Sequence, residues 1–208
     1  MNNQINNPNM GVTIMRRTPK MFKGLRDVCR SIHPDNRGLM VEIGSFMGES
    51  ASVFADYFDH VICVDPLAPY DGDRAGKDLE NNYQTVFDSL SIVRRVKRNV
   101  SHLQLTGNEA AKLLHNAGGI DFVYIDGMHT EDAVRNDLMR WHRIARYIGG
   151  HDYCDDDRFQ GVVKAVDEWH DSHAKDTTLN TFVDGSWLID QYESNPLPPI
   201  DPIKDPIK

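Results

Sequence analysis

The stretch VEIGSFMGES, residues 41–50, joins an apolar run to a polar segment through two glycines that lie four positions apart. The run LMVEIG, residues 39–44, is short and apolar, as is typical of a strand that is buried on both faces. Residues 49–59 continue with the pattern of a helix. Because glycine adopts positive φ and lets the backbone approach another group closely, the stretch predicts a tight strand–turn–helix connection.

The same alternation of strand and helix continues along the chain. Further strands are predicted at residues 60–65, 102–107, 120–126 and 146–153, followed by a hairpin at 179–192. Helices are predicted at residues 19–32, 77–97, 108–117, 131–145 and 158–173. This order predicts an α/β fold, namely a Rossmann-like, doubly wound, mostly parallel seven-stranded sheet with an antiparallel C-terminal hairpin.

Length and composition predict one domain with two atypical ends. The chain has 208 residues, which suits a single domain at residues 19–194. Residues 1–18 are rich in asparagine and are expected to be disordered or extended. Residues 195–208 hold five of the ten prolines, and proline removes amide donors, so this stretch is interpreted as an extended arm. The arm is free or lies on a neighbouring subunit, and the second alternative predicts a homodimer.

Charge and cysteine content exclude some classes of partner. The formal net charge is -8, which argues against a nucleic-acid partner because phosphate binding needs a basic face. No apolar run approaches the roughly 20 residues of a membrane helix, so no membrane partner is expected. The three cysteines lack CxxC spacing and indicate reduced thiols in a cytoplasmic protein, and the N-terminus lacks the apolar core of a secretion signal.

The carboxyl ends of the first two predicted strands indicate a nucleoside-containing ligand. Gly44 and Gly48 form the first turn, and the helix that follows offers free amides to an anionic group. Asp65 ends the second strand, 21 residues after Gly44, which suits hydrogen bonds to ribose hydroxyls. The turn lacks the GxGxxG pattern that a pyrophosphate needs, so NAD is disfavoured and S-adenosylmethionine fits better.

The ends of the other predicted strands carry polar residues for which more than one role is possible. Asn108 follows the third strand as a cofactor contact or as a helix cap. Asp126 closes the fourth strand and His129 follows it, in the cleft or as a polar loop residue. The stretch GGHDYCDDD, residues 149–157, has three possible interpretations: a metal site, a proton-transfer site or an acidic surface loop.

These segments together resemble a known family. VEIGSFMGES, the acid of VICVDP, YIDGMHTEDAVRNDLMRW, GGHDY and GVVKAVDEW resemble the class I S-adenosylmethionine-dependent methyltransferases. Within that class they are similar to methyltransferase family 24, which is similar to the catechol-type and macrolide-sugar O-methyltransferases. The resemblance covers roughly residues 38–190, and the pairing of IDG-x-H with a downstream HDY is more specific than the glycine turn.

The resemblance implies a role for each matching residue. The amino-acid pocket of the cofactor would be formed by Glu42, Gly44, Ser45, Gly48 and Ser50. Asp65 would take the ribose, Asn108 would lie by the adenine, and Asp126 would face the cofactor. Asp126 and Asp152 match the two carboxylates of a site for magnesium or another divalent cation, although Tyr153 stands where a third ligand is expected and is a poor ligand for Mg²⁺.

The expected reaction is methylation of a hydroxyl group on a sugar or another small molecule. His129 or His151 would remove the proton, while Asp126 and Asp152 hold a cation or the hydroxyl, which makes His129, His151 and Asp152 the candidate catalytic residues. The alternatives are a nicotinamide-dependent oxidoreductase, a metal-dependent hydrolase, and a binding protein without catalytic activity.

Overall fold

The computed structural model describes residues 18–68 and 74–191, and for residues 74–81 it describes the backbone alone. The predicted N-terminal segment therefore lies outside the described residues except for Thr18. The predicted C-terminal arm lies outside them entirely.

Helices and strands alternate along the described chain. The helices are α1 (Pro19–Ser31), α2 (Glu49–Phe54), α3 (Arg74–Val96), α4 (Gly107–Leu114), α5 (Glu131–Trp141) and α6 (Gln160–His173). The strands are β1 (Leu39–Ile43), β2 (His60–Val64), β3 (Val100–Leu103), β4 (Ile120–Ile125), β5 (Ala145–Gly150), β6 (Leu179–Thr181) and β7 (Trp187–Asp190). Short 3-10 turns follow α1 and precede α6, at Pro34–Asn36 and Asp157–Phe159.

The seven strands form one sheet in the order β3-β2-β1-β4-β5-β7-β6. The strands β1 to β5 pair in parallel, whereas β7 is antiparallel to both β5 and β6. The predicted fold class is therefore confirmed. The strand order reverses between β1 and β4, which is the position where open α/β sheets bind ligands.

Each face of the sheet has its own apolar core. On one face, Leu25 of α1, Phe54 of α2 and Leu90 of α3 belong to a single buried cluster. On the other face, helices α4 to α6 contribute a second cluster that includes Leu138 and Val166. Because both faces are covered, the central strands are apolar on both sides except at Glu42, as the sequence pattern of LMVEIG predicts.

Two predicted strands have different ends in the structure. The strand predicted at 102–107 is β3 at Val100–Leu103. It ends before residue 107 because Thr106 is the N-cap of α4, where its hydroxyl accepts a hydrogen bond from the Glu109 amide at 3.3 Å. The cap reading of Asn108 is therefore wrong. The fifth strand ends at Gly150 instead of residue 153, because the chain turns through Asp152 at φ 62°.

Several predicted helices also have different ends. The first helix after β1 ends at Phe54 instead of residue 59. Helix α3 is kinked at Asn82, whose φ of -138° is not helical. The helix predicted to begin at residue 158 begins with a 3-10 turn and becomes α-helical at Gln160.

Two compositional expectations concern the described residues. All three cysteines are free thiols, and burial raises the pKa of Cys29 to about 12, so this thiol stays protonated at neutral pH. Within residues 18–68 and 74–191, no helix has both the length and the apolar character needed to cross a bilayer.

The packing of α5 against the sheet makes a stability prediction. Leu138 is fully buried, whereas its neighbour Met139 is 40% exposed. We expect Leu138→Ala to lower the free energy of unfolding by about 2–5 kcal/mol, because it leaves a cavity in the core. The matched change Met139→Ala should lower it by less than about 0.5 kcal/mol. Urea denaturation measures both, and equal losses would contradict the packing described for α5.

Candidate functional site

A cavity of about 630 Å³ lies at the carboxyl ends of the parallel strands. The pairing register explains its position, since Ile43 pairs with both Val64 and Ile125, and Ile125 pairs with Gly150. The residues after these strands therefore lie side by side. The predicted site residues that line the cavity are Gly44, Ser45, Ser50, Asp65, Asn108, Asp126, His129, His151 and Asp152.

The turn after β1 forms one end of the cavity. Gly44 has a φ of 82°, and a Cβ atom there would lie 2.2 Å from the carbonyl oxygen of Asp126. Glycine is therefore required for both the backbone conformation and the close approach of two turns. Gly48 also has positive φ, at 78°, and a Cβ there would lie 2.9 Å from Leu90.

Two predicted cofactor residues lie behind the cavity instead of on its wall. Glu42 is fully buried and accepts a hydrogen bond from the hydroxyl of Ser50. Gly48 is the N-cap residue of α2 and packs against α3. Both residues support the turn, and Ser50 links Glu42 to the cavity wall.

Asp65 connects two turns at the end of β2. Its carboxylate accepts the backbone amides of Phe46 at 2.7 Å and Leu67 at 2.8 Å. Burial raises the pKa of Asp65, while these hydrogen bonds oppose the rise. A carboxylate has about four lone-pair sites, so Asp65 retains capacity to accept ribose hydroxyls. The sequence analysis did not predict these two hydrogen bonds, which link Asp65 to the backbone after β1 and after β2.

The far wall of the cavity contains a carboxyl that was not predicted. Asp137 of α5 lines the cavity beside Gly107, where a Cβ atom would lie 2.7 Å from the Asp137 Oδ1 atom. Burial raises the pKa of Asp137 to about 7, and Arg140 opposes this rise. Asp137 lies three residues after Val134 and directly before Leu138, two buried residues of α5. Its position beside this apolar stripe was the one sequence feature that could have indicated a partly buried acid.

The residues after β4 and β5 form a cluster of carboxylates and histidines. Asp152 is central, with its Oδ2 atom 2.9 Å from His129 Nε2 and its Oδ1 atom 3.0 Å from His151 Nδ1. His151 Nδ1 also lies 3.9 Å from Asp126 Oδ1. Burial raises the pKa of Asp152, but the two histidines lower it by more, so its pKa lies well below the ordinary value. Asp152 is therefore ionised at neutral pH.

A further carboxylate, Asp184, approaches this cluster from the β6–β7 turn. Its side chain is fully buried, and its Oδ2 atom lies 3.9 Å from His151 Nε2. The backbone amide and the hydroxyl of Ser186 both donate to it at 3.0 Å. His151 therefore lies between carboxylates on both sides of its ring. No sequence signal pointed to Asp184, because it is distant from the other site residues along the chain.

The cluster fits a divalent cation only in part. Asp126, His129 and Asp152 each offer one ligand atom, and these atoms lie within 4.8 Å of one another. Mg²⁺ prefers oxygen ligands, and imidazole suits zinc, copper, iron or nickel. Both oxygens of Asp152 face imidazole rings, so a histidine nitrogen would join the two carboxylates as a ligand, and this set suits a transition metal better than Mg²⁺.

The rest of GGHDYCDDD faces away from the cluster. The Tyr153 hydroxyl donates to Asp167 at 2.7 Å, and Asp155 and Asp157 are exposed. Asp156 caps the 3-10 turn and forms two contacts with the Arg158 guanidinium. The site part of this stretch is therefore limited to His151 and Asp152.

The sequence and the fold both match known proteins. A family model described as a methyltransferase domain, methyltransferase family 24, matches residues 41–157, more than half of the chain. The O-methyltransferase NovP has a TM-score of 0.58 and 20% identity, over 82% of this chain and 79% of that chain. No curated protein matches the sequence.

Two other solved structures have the same fold. Cofactor-bound Rv0187 from MTB has a TM-score of 0.57 and 15% identity, over 86% of this chain and 84% of that chain. The O-methyltransferase from Bacillus cereus, in complex with SAH, has a TM-score of 0.50 and 14% identity, over 83% and 80%. At these identities, the likeness establishes the fold.

The raised pKa of Asp137 predicts a pH-dependent stability. In the unfolded chain Asp137 has the ordinary aspartate pKa of 3.8, whereas in the folded chain its pKa is about 7. Between these two pH values Asp137 is therefore protonated in the folded state but ionised in the unfolded state. The free energy of unfolding falls as the pH rises through this range. We expect Asp137→Asn to remove this loss. The change in melting temperature that it causes should therefore be more positive at pH 8 than at pH 4, by at least about 2 °C.

The exposed acid Asp132 on the same helix supplies the control for this measurement. Its side chain is 91% exposed. Asp132→Asn should change the melting temperature by a similar small amount at both pH values, because exposed ion pairs contribute little. If the effect of Asp137→Asn on the melting temperature is also the same at both pH values, the pKa of Asp137 is not raised.

Proposed function

Because this chain belongs to methyltransferase family 24, a branch of the class I S-adenosylmethionine-dependent methyltransferases, we propose that it methylates a hydroxyl group of a small molecule. The observation that carries the proposal is one cavity at the switch point of the sheet. Its walls bring together Asp65 at the end of β2, the Gly44 turn, and the His129–Asp152 pair.

The cavity has the size and chemistry for S-adenosylmethionine. Its volume of about 630 Å³ falls in the range of small-molecule sites. The amino-acid end of the cofactor would lie at Gly44 and Ser45, the ribose at Asp65, and the base towards Asn108. When bound, the cofactor supplies a methyl group on a good leaving group, so the protein has to align the acceptor and remove its proton.

His129 is the residue that we assign as the general base. It lines the cavity, and 25% of its side chain is exposed, compared with 7% for His151. Since Nε2 faces the ionised Asp152, the proton of the neutral ring is held on Nε2 and the basic lone pair is on Nδ1. The acceptor hydroxyl would donate its proton there, and Asp152 would stabilise the imidazolium that forms.

His151 and Asp126 have supporting roles in this scheme. His151 holds the second oxygen of Asp152 at 3.0 Å, which restricts the orientation of the carboxylate. Asp126 faces the cavity beside the Gly44 turn and would contact the cofactor or the acceptor hydroxyl. No step in the scheme requires a divalent cation, although Asp126 and Asp152 remain the predicted ligands if one binds.

A saccharide is the acceptor class that we propose. It is supported by the resemblance to methyltransferase family 24, which is similar to the macrolide-sugar O-methyltransferases. We also propose a cytoplasmic setting, which the free cysteines favour, and a homodimer, for which the proline-rich arm is the argument. The methyltransferase domain is proposed to span residues 19–194.

Cofactor binding separates the proposal from its rivals. S-adenosylhomocysteine at a hundredfold excess over its dissociation constant should raise the melting temperature by about 5 °C or more, because it binds the folded state alone. NAD at the same concentration should have no effect, since the Gly44 turn lacks a pyrophosphate-binding pattern. Thermal denaturation measures both. Stabilisation by NAD without stabilisation by S-adenosylhomocysteine would favour the oxidoreductase.

The base assignment makes a kinetic prediction. His129→Ala and Asp152→Ala should each lower turnover by about 100-fold or more, because general-base catalysis contributes that much. Affinity for S-adenosylhomocysteine should change little in His129→Ala. Transfer of a labelled methyl group to a panel of saccharides and other hydroxylated acceptors measures turnover.

The control for this experiment is His33→Ala, a histidine with 65% of its side chain exposed. Unchanged turnover in Asp152→Ala would disprove the role of the His129–Asp152 pair. A loss in His151→Ala but not in His129→Ala would transfer the base to His151. Turnover that is lost on chelation and restored by a divalent cation would instead favour the predicted metal site.

A further inference from the structure

We propose that Asp137 determines the specificity of this site for adenine by accepting a hydrogen bond from the amino group of the base. The assignment rests on the proposed function, because it requires an adenosyl cofactor in the cavity. Asp137 lines that cavity, yet no hydrogen bond joins its carboxyl to any other residue that the structure describes. Its side chain is half-buried and stays accessible from the cavity, so its oxygens can accept a hydrogen bond from a bound ligand.

The position of the ribose determines which wall the base contacts. With the amino-acid end at Gly44 and the ribose at Asp65, the base would lie towards the first turn of α4 and the facing surface of α5, which also line the cavity. The polar side chains on this wall are Thr106, Asn108, Asn136 and Asp137. Thr106, Asn108 and Asn136 are exposed, whereas Asp137 is partly buried, so Asp137 is the most buried polar side chain on this wall.

Gly107 keeps the path between Asp137 and the cavity open. A Cβ atom at position 107 would lie 2.7 Å from Oδ1 of Asp137 and 3.1 Å from Ile43. Any side chain larger than hydrogen would therefore displace the carboxyl or cover it. Gly107 is the first residue of α4, and its conformation does not require glycine, because its φ is not positive. The close approach of Asp137 supplies a reason for glycine at this position.

The chemistry of a carboxyl group complements the edge of adenine. The 6-amino group donates a hydrogen bond, and the adjacent ring nitrogen accepts one. An ionised carboxylate accepts from the amino group, and a neutral carboxyl also donates to the ring nitrogen. Asparagine pairs with adenine through the same donor and acceptor, so Asp137→Asn should retain recognition of the base. Leucine has a similar size but neither a donor nor an acceptor.

The test compares two ligands on four forms of the protein. The ligands are S-adenosylhomocysteine and its analogue in which hydrogen replaces the 6-amino group. Isothermal titration calorimetry measures both affinities for the wild type, Asp137→Asn, Asp137→Leu and the control Asp132→Asn. We expect the wild type, Asp137→Asn and the control to prefer the amino-bearing ligand by about tenfold or more. Asp137→Leu should bind both ligands with the same affinity.

The ratio of the two affinities separates recognition from structural support. If Asp137 only supports the fold, Asp137→Leu weakens both ligands equally and the preference stays at its wild-type value, which would overturn the proposal. If Asp137→Leu does not fold, Asp137→Ala provides the same comparison. If the wild type binds S-adenosylhomocysteine and the analogue with the same affinity, the role of Asp137 is refuted but the proposed function is not. A wild type that binds neither ligand refutes the proposed function.

Discussion

The close approach of two backbone turns at the centre of the sheet is the constraint on which the site depends. Gly44, after β1, contacts the carbonyl of Asp126, after β4, at a distance that excludes any Cβ atom. This contact occurs at the switch point, where the crossovers on either side leave a cleft. It brings the turn proposed to hold the cofactor next to the acidic end of β4. Asp65 then joins the next turn by accepting the Phe46 amide.

Charge is organised around Asp152 on the other side of the cleft. A largely buried carboxylate is stable there because an imidazole contacts each of its oxygens. The positive φ of Asp152 directs the chain out of β5 at the level of Asp126. Asp184 adds a third carboxylate to this region from a distant turn. The proposed proton transfer therefore depends on three segments that meet only in the folded chain.

Much of the fold was predictable, because apolar runs of strand length and amphipathic helices repeat in a regular order. Errors arose where local patterns compete. The polar run around Thr106 contains two good capping residues, and only the structure shows that Thr106 forms the cap. The strand ending at Gly150 was predicted too long because nothing in HDY signals a left-handed residue. Asp137 was missed because a helical pattern records an acid without indicating whether it faces solvent or a cavity.

Local sequence patterns were enough to predict the doubly wound sheet, the glycine turn and the acids at the strand ends, since each follows from residues adjacent in the chain. Tertiary structure alone decided which side chains meet. The pairing of His129 with Asp152 and the approach of Asp184 to His151 join residues far apart in sequence. The contact of Asp137 with Gly107 likewise depends on how α4 and α5 pack. Strand order and helix packing set the distances between segments, and no local pattern encodes those distances.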